Sequence, residues 1–140
     1  MTINEVQDNI IEEFSLFDDW MDKYNLLIDL GKGLPVIDPK FKVKYFLIEG
    51  CQSKVWLHPD FDGEMITFTA DSDAIITRGI VALLIKVLSN RTPEEILAAD
   101  LYFIEKIGLR QNLSPTRSNG LLSMVRQMKL YAMAFEAINK

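Results

Sequence analysis

Lys54-Val55-Trp56-Leu57-His58-Pro59-Asp60-Phe61-Asp62-Gly63-Glu64-Met65-Ile66-Thr67-Phe68-Thr69-Ala70 is the stretch on which the reading of the fold turns. Over Lys54–His58 an extended chain sends Val55 and Leu57 to one side and Trp56 and His58 to the other. Pro59-Asp60-Phe61-Asp62-Gly63 then supplies turn chemistry, Asp-Gly being a strong hairpin signal. A return strand over Glu64–Ala70 turns Ile66, Phe68 and Ala70 inward and Met65, Thr67 and Thr69 outward. The period of two predicts an antiparallel pair with one covered face and one more solvated face.

Helical periods flank this hairpin. Upstream, Ile3, Val6, Ile10 and Phe14 recur at the spacing of an amphipathic first helix. A second helix is predicted from Asp18-Asp19, with Trp20, Tyr24, Leu27 and Leu30 on one face and an end at Gly31. Leu34-Pro35-Val36-Ile37-Asp38-Pro39 reads as a connector, because two prolines so close forbid regular structure. Tyr45–Ile48 reads as a short strand or a turn.

Downstream, Asp71-Ser72-Asp73 reads as the cap of a helix through Ile75, Ile76, Ile80, Leu83, Leu84, Val87 and Leu88. That helix is apolar around most of its circumference, which makes it the central helix of the core. Thr92-Pro93-Glu94-Glu95 is a capping box with proline in the first helical position. Another short helix is predicted over Asp100–Ile107, ending at Gly108. The last helix begins at Ser114-Pro115 and carries a stripe of Leu121, Val125, Met128, Ala132 and Phe135. Helices, then a small antiparallel sheet, then helices make the expected class α+β, a small antiparallel β-sheet covered by helices, in a single domain over residues 1–140.

Composition bounds the chemistry. With 49% hydrophobic and 25% charged residues the chain reads as a globular domain rather than a disordered one. One cysteine excludes an internal disulfide and a cysteine-based zinc or iron–sulfur site within the chain, and a single histidine (His58) adds no ligand cluster. The formal charge of −5 argues against a nucleic-acid partner. Ala74–Leu88, interrupted by Arg78 and Lys86, falls short of the ~18 apolar residues of a membrane span. The acidic start Met1-Thr2-Ile3-Asn4-Glu5 lacks a signal pattern, so the expected compartment is cytoplasmic, where a thiol stays reduced.

The lone cysteine stands in Ile48-Glu49-Gly50-Cys51-Gln52-Ser53-Lys54, with glycine behind it and two polar residues ahead. That setting reads as a loop exposing the sulfur. Two readings are open: an inert small hydrophobe, or a working thiol whose thiolate Lys54 favours by its charge. His58 has a strand position that favours a structural role over that of a base. Asp71 and Asp73 read as a carboxylate pair or, more simply, as helix caps. Gly79, beside Arg78 inside an apolar helix, needs a reason such as close packing, since glycine there costs ~1 kcal/mol against alanine. The polar run Ser114–Gly120 opens a helix, yet its glycine is too late and too isolated for a phosphate loop. Met124, Met128 and Met133 read as core.

Gly50-Cys51-Gln52-Ser53-Lys54-Val55-Trp56 resembles the signature around the active cysteine of the SufE family of sulfur acceptors. Further blocks resemble the family in the same order: Tyr24–Pro35, Ala70-Asp71-Ser72-Asp73-Ala74 with Arg78-Gly79, Thr92–Ile96, and Leu113–Leu121. The likeness spans about residues 10 to 135. It implies a SufE/IscU-like fold and a protein that is not an enzyme by itself. Such a protein partners a pyridoxal-phosphate cysteine desulfurase of the SufS type, takes persulfide sulfur onto Cys51, and passes it to an iron–sulfur scaffold complex of the SufBCD kind. The cofactor belongs to the partner, and none is expected on this chain. Gln52, Asp71, Asp73 and Arg117 are candidates for the cysteine loop or the docking face, with Gln52 bonding loop backbone. The competing reading is an adaptor that activates a desulfurase without carrying sulfur. The resemblance also leads us to expect Cys51 on a mobile loop near the end of the sheet, with apolar side chains available to shelter it.

Overall fold

The computed structural model describes residues 1–35 and 37–138; Val36, which the connector reading included, lies outside them. Helices α1 (Ile3–Ser15) and α2 (Trp20–Lys32) precede two single-turn 3-10 segments, Pro39–Phe41 and Lys44–Phe46. Strands β1 (Val55–Phe61) and β2 (Ile66–Ser72) follow. The chain then runs through α3 (Ile75–Leu88), α4 (Pro93–Ala98), α5 (Phe103–Lys106), α6 (Leu109–Asn112) and α7 (Pro115–Ile138). The strands pair antiparallel, from Val55 opposite Ser72 to Phe61 opposite Ile66, so the expected α+β class holds.

The inner face of the hairpin is the predicted one. Val55, Leu57, Ile66, Phe68 and Ala70 are all sealed from solvent, at 2% exposure or less. They face α3, which buries Ile80, Val81, Leu83, Leu84, Val87 and Leu88 and packs against α1, α2, β2 and α7. Each such side chain contributes about 1.5–3 kcal/mol relative to exposure, so α3 is the center of the fold. The capping boxes at Thr2–Glu5 and Thr92–Glu95 start α1 and α4, each with both reciprocal hydrogen bonds made.

Several boundaries depart from expectation. β1 does not turn at Pro59 but runs on to Phe61, and the turn is Asp62–Met65. There the Asp62 carboxylate accepts from the Glu64 and Met65 amides at 2.8 and 2.7 Å, with Gly63 at φ +98°. Proline is tolerated because each strand of a two-stranded sheet is an edge. The outer face is less open than predicted: Phe41 stacks on His58 at 3.6 Å and Phe46 meets the same ring edge-on at 4.9 Å. The 3-10 segments therefore cover His58.

Gly31 does not end α2; the helix continues to Lys32, and Gly31 is buried where α2 crosses α3. A methyl built on Gly79 would lie 2.1 Å from the Leu27 carbonyl oxygen, so glycine there serves close helix packing. The predicted Asp100–Ile107 helix shrinks to α5, and α6 was not foreseen. Gly108, at φ +79°, reverses the chain between them. Met124 and Met128 are core, but Met133 is 55% exposed, on the outer side of α7.

Candidate functional site

Cys51 lies on the loop between the second 3-10 segment and β1, next to the end of the sheet. The loop's ends are pinned. Leu47 bridges Trp56, and the Ile48 amide donates to the Val55 carbonyl at 2.8 Å. At the downstream end the Lys54 amide donates to the Asp73 carboxylate at 3.0 Å, and the Asp73 amide returns a bond to the Lys54 carbonyl at 3.2 Å. Between these clamps Gly50 takes φ +88°, a conformation that favours glycine.

The thiol is half-buried. Its Sγ donates to the Gly120 carbonyl on α7 at 3.6 Å. Beside it opens a cavity of about 20 Å³ whose walls include Thr77 and Ile80 from α3 and Arg117, Gly120 and Met124 from α7. Burial pushes the thiol's pKa up from its ordinary value, and burial is the only cause. Lys54, offered by the sequence as a charge near the thiol, has an exposed side chain.

Asp71 and Asp73 do not cap α3. The residue before that helix is Ala74, and no side chain caps it. Asp73 clamps the thiol loop, as above. Asp71 accepts from Lys42 Nζ at 3.0 Å and pairs with Arg78 Nε at 3.1 Å, tying the segment before the thiol loop to α3. Burial opposes ionisation of Asp71. The hydrogen bonds from Lys42 and the Ser72 amide, with the charges of Arg78 and Lys42, outweigh it and leave the carboxyl below its usual value. Lys42 also lies over the Trp56 ring at 4.7 Å.

Arg117 is exposed at the rim of the thiol cavity and makes no ion pair among the described residues. Gln52 lines the same cavity, but its exposed side chain makes no hydrogen bond among the described residues, contrary to the expected bond to loop backbone. His58 is held by its aromatic stack and is not part of the thiol cavity, in keeping with a structural role. Sequence reasoning weighed Gly120 only as part of a phosphate loop, not as a neighbour of the thiol, and did not single out Ser123. The available signal was Gly120 itself, a glycine inside a long helix that needs a packing reason.

Comparison with known proteins gives the family of the chain. Residues 8–132 match the family model "SufE: Fe-S metabolism associated domain", and the chain belongs to the SufE family. An uncharacterised SufE-like protein of Rhizobium etli is 43% identical over 127 residues, 87% of this chain and 86% of that protein. SufE-like protein 1, chloroplastic/mitochondrial, of Arabidopsis thaliana is 44% identical over 115 residues, 81% of this chain but 31% of that longer protein. A solution structure of a hypothetical protein from Thermus thermophilus superposes with a TM-score of 0.77 over 94% of this chain and 96% of that one. At 19% identity it speaks for the fold alone. Among the described residues no helix is long and apolar enough to cross a membrane.

Proposed function

We propose that the chain's role in iron–sulfur metabolism is that of a sulfur acceptor working through Cys51. The donor is the persulfide of a pyridoxal-phosphate cysteine desulfurase of the SufS kind. The Cys51 thiolate attacks the outer sulfur of the donor persulfide. A new sulfur–sulfur bond forms on Cys51, the donor's breaks, and the donor cysteine leaves as a thiolate that recovers the proton Cys51 gave up. Sulfur changes hands without net oxidation, and the acceptor delivers it to an iron–sulfur scaffold complex of the SufBCD kind.

The observation that carries this reading is a half-buried thiol on a loop clamped at both ends, beside an apolar cavity. At about 20 Å³ the cavity holds roughly one further atom of sulfur's size, since ~10–15 Å³ admits a water molecule. Ile80 and Met124 in its walls would keep a loaded persulfide from solvent reductants and oxidants. A raised pKa keeps the resting thiol protonated, and exchange requires the thiolate. Activation therefore belongs to the docked state, in which the loop swings outward. In this reading the exposed Arg117 and Gln52 at the rim meet the desulfurase, and Asp71 and Asp73 hold the loop's surroundings in register. The test is Cys51→Ser assayed for stimulation of a cysteine desulfurase. An acceptor loses the stimulation; retention of most of it would mean a non-covalent activator.

A further inference from the structure

Glycine is unfavourable within a long helix, yet α7 carries Gly120 in its interior, buried, directly beneath the thiol. A methyl group built on Gly120 would lie 3.3 Å from Cys51 Sγ and 3.6 Å from Cys51 Cα. One turn further along the same face stands Ser123. A methyl group built on Gly50 would come within 2.6 Å of Ser123 Oγ. Two consecutive loop residues thus rest on two α7 positions spaced three apart, which share one face of a helix. The Gly120 carbonyl also receives the thiol's hydrogen bond at 3.6 Å.

We propose that Gly120 and Ser123 form a seat on α7 for the Gly50-Cys51 pair, and that Gly120 is the positioning residue that sets how deeply the sulfur is withdrawn. A methyl at 120, 3.3 Å from Sγ, presses the sulfur outward by a few tenths of an ångström, and a larger side chain presses it further. Because the obstacle is a loop side chain rather than backbone, the loop yields and α7 does not. The seat therefore holds the retracted state in place, and its fit sets how readily the thiol emerges. This inference concerns the exposure of the thiol. It stands or falls separately from the sulfur-acceptor reading, because an alkylating reagent reads exposure without any partner.

The test is the rate of alkylation of Cys51 by iodoacetamide across pH, in which the thiolate forms a sulfur–carbon bond and iodide leaves. The charged and titratable groups around the seat are Lys44 and Tyr45 on the second 3-10 segment, Glu49 and Lys54 on the loop, Asp73 at its downstream clamp, and Arg117 and Arg126 on α7; Gly120→Ala changes none of them. Gly120→Ala is expected to alkylate about threefold faster near neutral pH, with the inflection of the rate profile moved to lower pH. Ser123→Val crowds Gly50 instead of Cys51 and is expected to act in the same direction, so the proposal survives a folding failure of either variant. Circular dichroism melting identifies the folded variants. A folded variant with the wild-type rate and inflection, or a slower rate, overturns the proposal. A merely structural glycine would shift the melting temperature and leave the pH profile in place.

Discussion

Replacing Gly79 by alanine tests how closely the fold is built around the crossing of α2 and α3. The added methyl would stand 2.1 Å from the Leu27 carbonyl oxygen, 2.6 Å from its carbon and 3.0 Å from Leu27 Cα. These are backbone atoms of a helix, so no rotamer change relieves the contact. Gly31 faces the same crossing, where its own methyl would come 2.9 Å from the Gly79 amide nitrogen. Ordinary contact begins near 3.4 Å, so the helices must part locally by about 1.3 Å. Overpacking costs about 1–3 kcal/mol, and a rigid backbone obstacle puts this case at the upper end. Alanine regains about 1 kcal/mol of helix propensity, which leaves a net loss of about 2 kcal/mol. At about 2–4 °C per kcal/mol for a domain near this size, Tm should fall by about 4–8 °C in a calorimetric or circular dichroism melt. A Tm equal to or above that of the wild type would refute the reasoning, since propensity alone would then decide.

Other perturbations bear on the site. Asp71→Asn removes the anchor of Lys42 and Arg78, partly exposed pairs, and should cost about 1 kcal/mol or less in urea melts at pH 7. Because the Asp71 pKa is lowered by folding, its contribution is present above the ordinary carboxylate pKa and disappears as pH falls through the folded value. Wild type and variant should therefore converge in acid. The Cys51 pKa is raised by burial, so its small stabilising contribution is full below the unfolded thiol value and is lost as pH rises through the folded one. Native protein should accordingly alkylate more slowly at neutral pH than urea-unfolded protein, with a higher inflection. Tyr102 donates to Asp8 at 2.7 Å, and that bond first, then burial and the charges of Asp8 and Asp100, push its pKa up to about 12. In an ultraviolet titration Asp8→Asn should bring the phenol back toward its ordinary value.

The core was legible because its signals are local and periodic. The alternation from Val55 to Leu57 and from Ile66 to Ala70 marked the inner face, and the apolar circumference of α3 marked the center. Turn and cap chemistry misled where tertiary contacts compete for the same residues. Asp71 and Asp73 have the composition of caps, but distant partners, Lys42 and Lys54, claim their carboxylates. Pro59 looked like a turn because its missing amide harms a ladder, and in a two-stranded sheet that cost falls away. Cys51 and the loop around it could be read from Gly50 and the polar residues beyond. The depth of the thiol could not, because it depends on Gly120, 69 positions away, approaching across the fold. Lys54 shows the same limit in reverse: it stands three positions from the thiol in sequence, yet its side chain is exposed and its backbone amide is spent on Asp73.

The central claim is that Cys51 accepts a sulfur atom from another protein, and mass spectrometry measures this directly. The protein is incubated with a cysteine desulfurase and free cysteine, then digested without reductant. The account predicts that the peptide bearing Cys51 gains the mass of one sulfur atom and loses it again on reduction. Desulfurase turnover that is stimulated by this chain while the Cys51 peptide stays unmodified would contradict it.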